Sequence, residues 1–316
     1  MKILVTGGNG FLGKRLGLEL RKLGHQVTLA SRNNKQNFLA KEFSGCNVLP
    51  MDVSSIESVR DAVIQEMPDV IIHAAATKFV DFAEKQPMET IDINVTGSQN
   101  VARIAIERGV KLVIGISTDK SSPPVRNIYG MTKSLMERLF SLMEGKSDTH
   151  FVSVRYGNVA WSTGSVLGIW KKMLKKQGFI GTTGPEMFRY FFTVDEAVSL
   201  VLTALKNESE LHGKVLSRYM KAAQLEDIIR VWTKQEGATY EKIEGRPGER
   251  LEEFLIGESE LEYTEERIYD GIRHYVLSFN EKSENPLTEV LSSRTAEKLT
   301  DEEIRAIINN PPFEEL

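Results

Sequence analysis

A single cysteine, Cys46, stands among 316 residues, so no internal disulfide can form. No second cysteine or histidine set accompanies it, so it reads as a small apolar filler and no metal site is expected. No apolar run approaches the ~20 residues that cross a bilayer. The short run after Lys2 is too brief for a signal peptide and already reads as structure. These absences predict a cytoplasmic protein with no membrane partner. Charge of one sign is missing too. Lysine and arginine number 40 against 44 acidic residues, a net charge of −4 spread along the chain, which points to no nucleic-acid partner. There is no internal repeat and no low-complexity segment. What is there, 41% hydrophobic and 27% charged residues, is ordinary for a globular protein. The length suffices for one large domain, or a large and a small one.

The first half alternates apolar runs with amphipathic stretches. Strands are predicted at 3–6, 27–30, 47–50, 70–73, 111–117 and 151–155. Helices are predicted at 11–23, 56–67, 87–108 and 129–143. Strands separated by helices imply right-handed crossovers and a parallel sheet covered on both faces. After about Asn158 the pattern loosens, with glycine, serine and threonine dense at 161–168 and 178–184. Strand-then-helix character resumes at 191–205. Thr300-Asp-Glu-Glu303 reads as a capping box opening a short helix that stops at Pro311-Pro312. The fold class is therefore α/β: a doubly wound parallel sheet of Rossmann type with a smaller C-terminal substrate-binding α/β region. The expected division is a nucleotide-binding domain at 1–160 with one return at about 190–206. Segments 161–189 and 207–280 would form the substrate region, and 281–316 an arm.

Thr6-Gly-Gly-Asn-Gly-Phe-Leu-Gly13 follows the first strand and opens the first helix. Gly7, Gly10 and Gly13 suit a tight turn, a close pyrophosphate and close helix–strand packing, with Phe11 and Leu12 in the same turn. A nicotinamide dinucleotide is the expected cofactor. An Asp or Glu ending the second strand selects NAD; here Ser31 and Arg32 stand there. A guanidinium binds a 2′-phosphate bidentately, so NADP is favoured over NAD. Asp52 and Val53 are placed either to meet the adenine edge or, for Asp52, to cap the next helix. Ala74, Ala75 and Ala76 let backbone lie against the cofactor, while His73 reads as a packed histidine.

The stretch Ser-Thr-Asp-Lys-Ser-Ser-Pro-Pro-Val-Arg-Asn-Ile-Tyr-Gly-Met-Thr-Lys, 117–133, holds two kinds of pair. Tyr129 and Lys133 lie one helical turn apart and share a face. A tyrosine titrates near ~10, and a neighbouring ammonium favours the phenolate. Tyr129 can then accept a hydroxyl proton while hydride leaves the same carbon, with Lys133 also holding the nicotinamide ribose.

With the motifs "HAAATKFV" (73–80), "STDK" (117–120), "YGMTK" (129–133), "RYGNV" (155–159), "RYFFT" (189–193) and "RPGE" (246–249), the chain resembles the extended short-chain dehydrogenases/reductases. Within them it is similar to the C5-inverting UDP-N-acetylglucosamine 4,6-dehydratases of the CapD-like polysaccharide-biosynthesis group. The resemblance implies an acid at Asp119, a C5 base at Lys120 and a 4-oxygen ligand at Thr118. Dehydration across C5–C6 needs that acid and base in addition to the redox pair. The base must be neutral, so Lys120 is expected to fall from its ordinary range beside Lys133. Asp119 must be protonated, as burial without a tight salt bridge favours. At the substrate end the resemblance implies Asn158, Arg189, Arg246 and Glu249 as nucleotide-sugar ligands, with Lys78 near the sugar. For Arg189 and Arg246 a surface salt bridge is the competing reading. One residue more than usual separates Lys120 from Tyr129, and Trp161 replaces a small residue, narrowing the sugar pocket. The resemblance also implies a homo-oligomer with an interface near the Tyr129 helix, and an arm at 281–316 packed on its own substrate region or a neighbour. A UDP-sugar 4-epimerase would keep Tyr129 and Lys133 without requiring Asp119 and Lys120. A non-catalytic NADP-binding regulator would typically lose the Tyr-Lys pair.

Overall fold

The computed structural model describes residues 1–245 and 248–311. Strands β1 (Lys2–Thr6), β2 (Gln26–Ser31), β3 (Asn47–Pro50), β4 (Val70–His73), β5 (Leu112–Ile116) and β6 (His150–Val154) alternate with helices. These are α1 (Phe11–Lys22), α2 (Asn34–Ser44), α3 (Ile56–Glu66), α4 (Val80–Lys85), α5 (Pro87–Ile91), α6 (Gly97–Glu107) and α7 (Ile128–Ser141). The second half adds β7 (Asn158–Val159), α8 (Val166–Gln177), β8 (Phe179–Thr182), β9 (Phe188–Phe192), α9 (Val194–Lys206) and α10 (Glu208–Leu211). It continues with β10 (Lys214–Arg218), β11 (Ala222–Gln224), α11 (Leu225–Glu236), β12 (Thr239–Lys242) and β13 (Phe254–Ile256). Last come β14 (Thr264–Tyr269), β15 (Ile272–Ser278), β16 (Leu291–Ser292) and α12 (Asp301–Asn309).

The main sheet has nine strands in the order β14-β15-β10-β6-β5-β4-β1-β2-β3. From β10 to β3 all pairings are parallel; β14 and β15 are antiparallel. The central strands are apolar throughout because both faces are covered. One face packs Leu16 and Leu20 of α1 and Leu200 and Val201 of α9. The other packs Val59 of α3, Ile104 of α6 and Phe140 of α7. Strand order reverses between β1 and β4, and the crevice at their carboxyl ends is where such sheets bind ligands.

A third core, around Trp161, Trp170 and Trp232, belongs to the smaller lobe. That lobe holds a three-stranded sheet, β11-β9-β7, and the pair β12-β8. Trp161 packs inside that core. It is 3% exposed, sits at φ 61°, and its indole donates to the Ile307 carbonyl at 2.7 Å. The segment 281–311 packs on its own chain: β16 pairs with β13 and α12 lies against α11.

Three differences from the sequence reading are physical. The single expected return at 190–206 supplies only α9 to the main sheet, because β9 pairs with β7 and β11. The strands that widen the main sheet, β10, β14 and β15, come instead from the segment read as substrate region. Asp270-Gly271, both at positive φ, closes the β14–β15 hairpin. Helix α2 was not anticipated; it is capped by Asn33 and ended by Gly45 in the left-handed region, but Phe38 and Leu39 remain exposed and blur its apolar stripe. The long helix at 87–108 is interrupted by a π turn at Asp92–Thr96.

Candidate active site

The turn after β1 fits a dinucleotide. Gly7 has φ +64°, and a Cβ there would lie 2.7 Å from the Ala75 nitrogen. A Cβ on Gly13 would lie 2.6 Å from the Gly7 carbonyl. Gly10 is the N-cap of α1 and offers no side-chain cap, so the first-turn N–H groups, those of Phe11, Leu12 and Gly13, face the crevice mouth without a side-chain acceptor. Thr6 ties the crevice together: its hydroxyl accepts from Ala75 N at 3.1 Å and meets His73 Nδ1 at 2.9 Å. His73 Nε2 meets the Ser98 hydroxyl at 3.1 Å. Burial brings that imidazole down to about 3, with Lys133 adding to the fall, so it is a neutral packed histidine. Ala74, Ala75 and Ala76 are half-buried along the same edge.

At the end of β2, Arg32 is exposed and has no carboxylate partner among the described residues. The Ser31 hydroxyl is held by Asn37, whose amide also donates to the Ser31 carbonyl at 2.9 Å. Asn37, buried on the inner face of α2 with Ala40 and Ser44, was not singled out from the sequence. Asp52 does not cap α3. Its Oδ1 accepts from Ser54 N and Oγ, and Ser55 is the cap. Val53 is buried, with its carbonyl accepting from Asn100.

Beyond β5 the chain enters a 3₁₀ turn, Asp119–Ser121, capped by Thr118. The turn is bolted in place. Ser121 and Ser117 donate to Glu137 on α7, and Ser122 donates to Glu260. Both carboxylates are bridged by the fully buried Arg155, at 2.6 Å to Glu137 and 2.9 Å to Glu260. The stretch 121–128, one residue longer than in the resembled group, is held inward. Pro123 packs on Gly257, and the Arg250 guanidinium donates to the Pro124 carbonyl. A Cβ on Gly130 would lie 2.2 Å from the Lys120 carbonyl, so the start of α7 sits directly on this turn.

Thr118, Asp119, Lys120, Tyr129 and Asn158 converge. Asp119 is fully buried; its Oδ1 accepts from Thr118 Oγ1 at 3.0 Å and from Lys120 Nζ at 3.0 Å. Its Oδ2 is buried without a hydrogen-bond partner among the described residues. Lys120 Nζ also donates to Asn158 Oδ1 at 3.2 Å. Burial raises Asp119 from its ordinary value, aided by Glu253 and opposed by Lys120. The expected salt-bridge-free environment is not found, since Lys120 is bonded to it. The expected fall of Lys120 is also reversed: burial pulls the ammonium down, but Asp119 and Glu253 outweigh it and hold it charged. Glu253, 3% exposed and 3.6 Å from Lys120 Nζ, was missed because nothing in its local sequence marks it.

Burial pushes the Tyr129 phenol up to about 12, against Lys120 and a hydrogen bond with Thr118. The cation acting on Tyr129 is thus Lys120 rather than Lys133. Lys133 donates to the Ile116 carbonyl at 2.7 Å, and burial brings it down to about 8. Asn94, in the π turn, holds Thr77 N and O and the Thr132 hydroxyl beside it.

Arg189 is 8% exposed, bonded to the Phe188 carbonyl at 2.8 Å, and close enough to oppose the Lys120 charge. No carboxylate pairs with it among the described residues, so the surface salt bridge is not found. Glu249 accepts from Thr183 at 3.0 Å. Lys78 is exposed, 5.6 Å over the Phe79 ring, and Phe79 packs on Gly164. Arg246 lies outside the described residues.

The family described as polysaccharide biosynthesis protein matches residues 3–273. An uncharacterized membrane protein of Methanocaldococcus jannaschii is 35% identical over 97% of this chain and 94% of its own. A UDP-N-acetylglucosamine 4,6-dehydratase (inverting) of Campylobacter jejuni is 32% identical over 84% of this chain and 81% of its own. Among solved structures, Pen from Bacillus thuringiensis superimposes with a TM-score of 0.89 at 29% identity, covering 98% of this chain and 97% of that one. Among the described residues of this chain no helix is long and apolar enough to cross a membrane.

Proposed function

The chain belongs to the polysaccharide biosynthesis protein family, a dehydratase group of the extended short-chain dehydrogenases/reductases, and on that footing we propose that it is an NADP-dependent UDP-N-acetylglucosamine 4,6-dehydratase that inverts C5. The product, a UDP-4-keto-6-deoxy-hexosamine, would feed surface polysaccharide or glycan biosynthesis. The observation that carries this reading is an acid and an amine beyond the redox pair: Asp119 and Lys120 in contact at 3.0 Å, beside Tyr129. When bound, the nicotinamide cofactor supplies the hydride acceptor and donor.

The chain's own residues do the rest. Gly7, Gly10 and the first turn of α1 would hold the pyrophosphate, and Arg32 the 2′-phosphate. Tyr129, once its buried phenol has ionised beside the Lys120 ammonium, takes the 4-hydroxyl proton, with Thr118 bonding the 4-oxygen. Lys120 removes the proton from C5, made acidic by the neighbouring ketone. Asp119 gives its proton to the departing 6-hydroxyl, which leaves as water. Lys120 then returns a proton to C5. Lys120 must first shed the proton that Asp119 and Glu253 favour, and Asp119, 3.0 Å away, can take it, which leaves a neutral amine beside a protonated carboxyl. Arg189 and Arg246 suit the diphosphate, Asn158 and Glu249 the sugar and ribose hydroxyls, and Lys78 the sugar rim. Met131 and Leu135, exposed one turn apart on α7, suit a homo-oligomer contact.

Incubation with UDP-N-acetylglucosamine in deuterated water tests the reading. NMR should show a 6-methyl signal and deuterium at C5. A plain C4 epimer would instead establish the second reading, a UDP-sugar 4-epimerase, which the charged resting state of Lys120 favours.

A further inference from the structure

Glu253 carries a buried carboxylate that the chemistry above does not use. Its Oε1 lies 3.6 Å from Lys120 Nζ and its Oε2 3.5 Å from Arg250 Nη1. Its backbone is locked on both sides: N donates to Ser293 Oγ at 2.9 Å, and the Ser293 amide donates back to its carbonyl at 2.8 Å. Ser293 Oγ in turn donates to the Phe188 carbonyl at 3.0 Å. The carboxylate is thus delivered to the site by the C-terminal arm, on elements other than the turn bearing Asp119.

An ammonium has three donors. Two of those of Lys120 go to Asp119 Oδ1 at 3.0 Å and Asn158 Oδ1 at 3.2 Å, and Glu253 Oε1 lies 3.6 Å away, in ion-pair range. When Lys120 loses a proton, Asp119 and Asn158 can keep the two remaining N–H groups, which leaves the lone pair in a direction neither of them takes. Without Glu253 an ion-pair attraction on the head group is gone, and the amine swings more freely about its long flexible stem. We propose that Glu253 is a positioning residue for proton removal at C5: it orients the Lys120 amine and supplies the buried negative charge that steadies the ammonium formed there. This rests on the dehydratase reading. The charged and titratable groups facing Lys120 are Asp119 on its own turn, Tyr129 on α7, Arg189 on β9 and Glu253 before β13; Arg250 faces Glu253. No electron or bond changes at Glu253 itself.

The test compares wild type, Glu253→Gln and Glu253→Asp, each checked for an unaltered melting temperature. In Glu253→Gln, kcat for dehydration should fall about 10²-fold, the scale of a misplaced reacting group. KM should stay within about threefold, and C4 oxidation, read as a single-turnover nicotinamide signal, should be spared. Glu253→Asp should recover part of kcat. NMR titration of ¹³Cε-labelled lysine should show Lys120 losing its proton at lower pH in Glu253→Gln, since a carboxylate stabilises the ammonium. An unchanged kcat together with an unchanged Lys120 titration would overturn the proposal. So would equal losses of oxidation, dehydration and melting temperature, the mark of a merely structural residue. If wild type forms no 4-keto-6-deoxy product from any UDP-hexosamine, the dehydratase reading fails instead, and the Lys120 titration still decides whether Glu253 sets the charge of that amine.

Discussion

Replacing Arg155 by methionine should destabilise the protein by about 3 kcal/mol, the lower end of the cost of breaking a buried ion pair. The side chain is fully buried and makes five hydrogen bonds: two to Glu137, two to Glu260 and one to the Leu255 carbonyl. Methionine fills similar space, so the main loss is electrostatic: two buried carboxylates are left without their counter-charge. The loss is limited because each keeps other donors. Glu137 retains Ser117 and Ser121, and Glu260 retains Ser122 and the Gly257 amide at 3.1 Å. Urea unfolding at neutral pH, followed by circular dichroism and by tryptophan fluorescence, measures the difference; coincident transitions would license a free energy. The triple variant Arg155→Met, Glu137→Gln, Glu260→Gln should regain most of the loss, since a neutral hydrogen-bonded cluster replaces the stranded charges. Arg155→Met losing under about 1 kcal/mol, or a triple variant no better than the single one, would refute the reasoning.

Arg32→Ala should weaken NADP binding by about 10- to 100-fold, the worth of a charge-assisted hydrogen bond, and leave NAD binding unchanged; equal losses for both cofactors in fluorescence titration would contradict the 2′-phosphate role. His73 is neutral in the fold, at about 3 against an ordinary 6.5, so the unfolded chain binds its proton first. Its contribution is complete above pH 6.5 and drains as pH falls toward 3, by at most ~1.4 kcal/mol per unit. His73→Asn should therefore flatten the acid limb of a stability-against-pH curve, and an unchanged limb would count against it. Truncation after Asn280 removes β16 from β13, Ser293 from Glu253 and α12 from Trp161. The shortened chain should melt lower and lose turnover; unchanged thermal melting and activity would show the arm to be dispensable.

Much of the fold was legible because its signals are local. Alternating apolar runs and amphipathic stretches mark β1 through β6, and glycines at Gly7, Gly10 and Gly13 mark the first turn. The Thr300 capping box is present as read, with Glu303 reaching back to Thr300 N at 2.9 Å. Asp270-Gly271 was an available hairpin signal left unread. The π turn at Asp92–Thr96 was not legible, since a helix-long apolar period runs straight through it and only the bonds of Asn94 justify the extra residue. Trp161 read as a pocket wall because a large aromatic replacing a small residue suggests bulk, while the direction of the ring depends on α12, far along the chain.

From the order of residues alone follow the doubly wound sheet, the glycine turn and the adjacency of Asp119 and Lys120, because each rests on spacing within a few residues or on a repeating period. Charge state does not follow from spacing. Whether Lys120 is an amine or an ammonium depends on how deeply it is buried and on Glu253, a carboxylate 133 positions away by number. Only the folded chain brings that carboxylate to 3.6 Å. Desolvation and Coulomb attraction act through space, and the folded chain, with Ser293 of the arm holding the Glu253 backbone, sets the distances on which their balance depends.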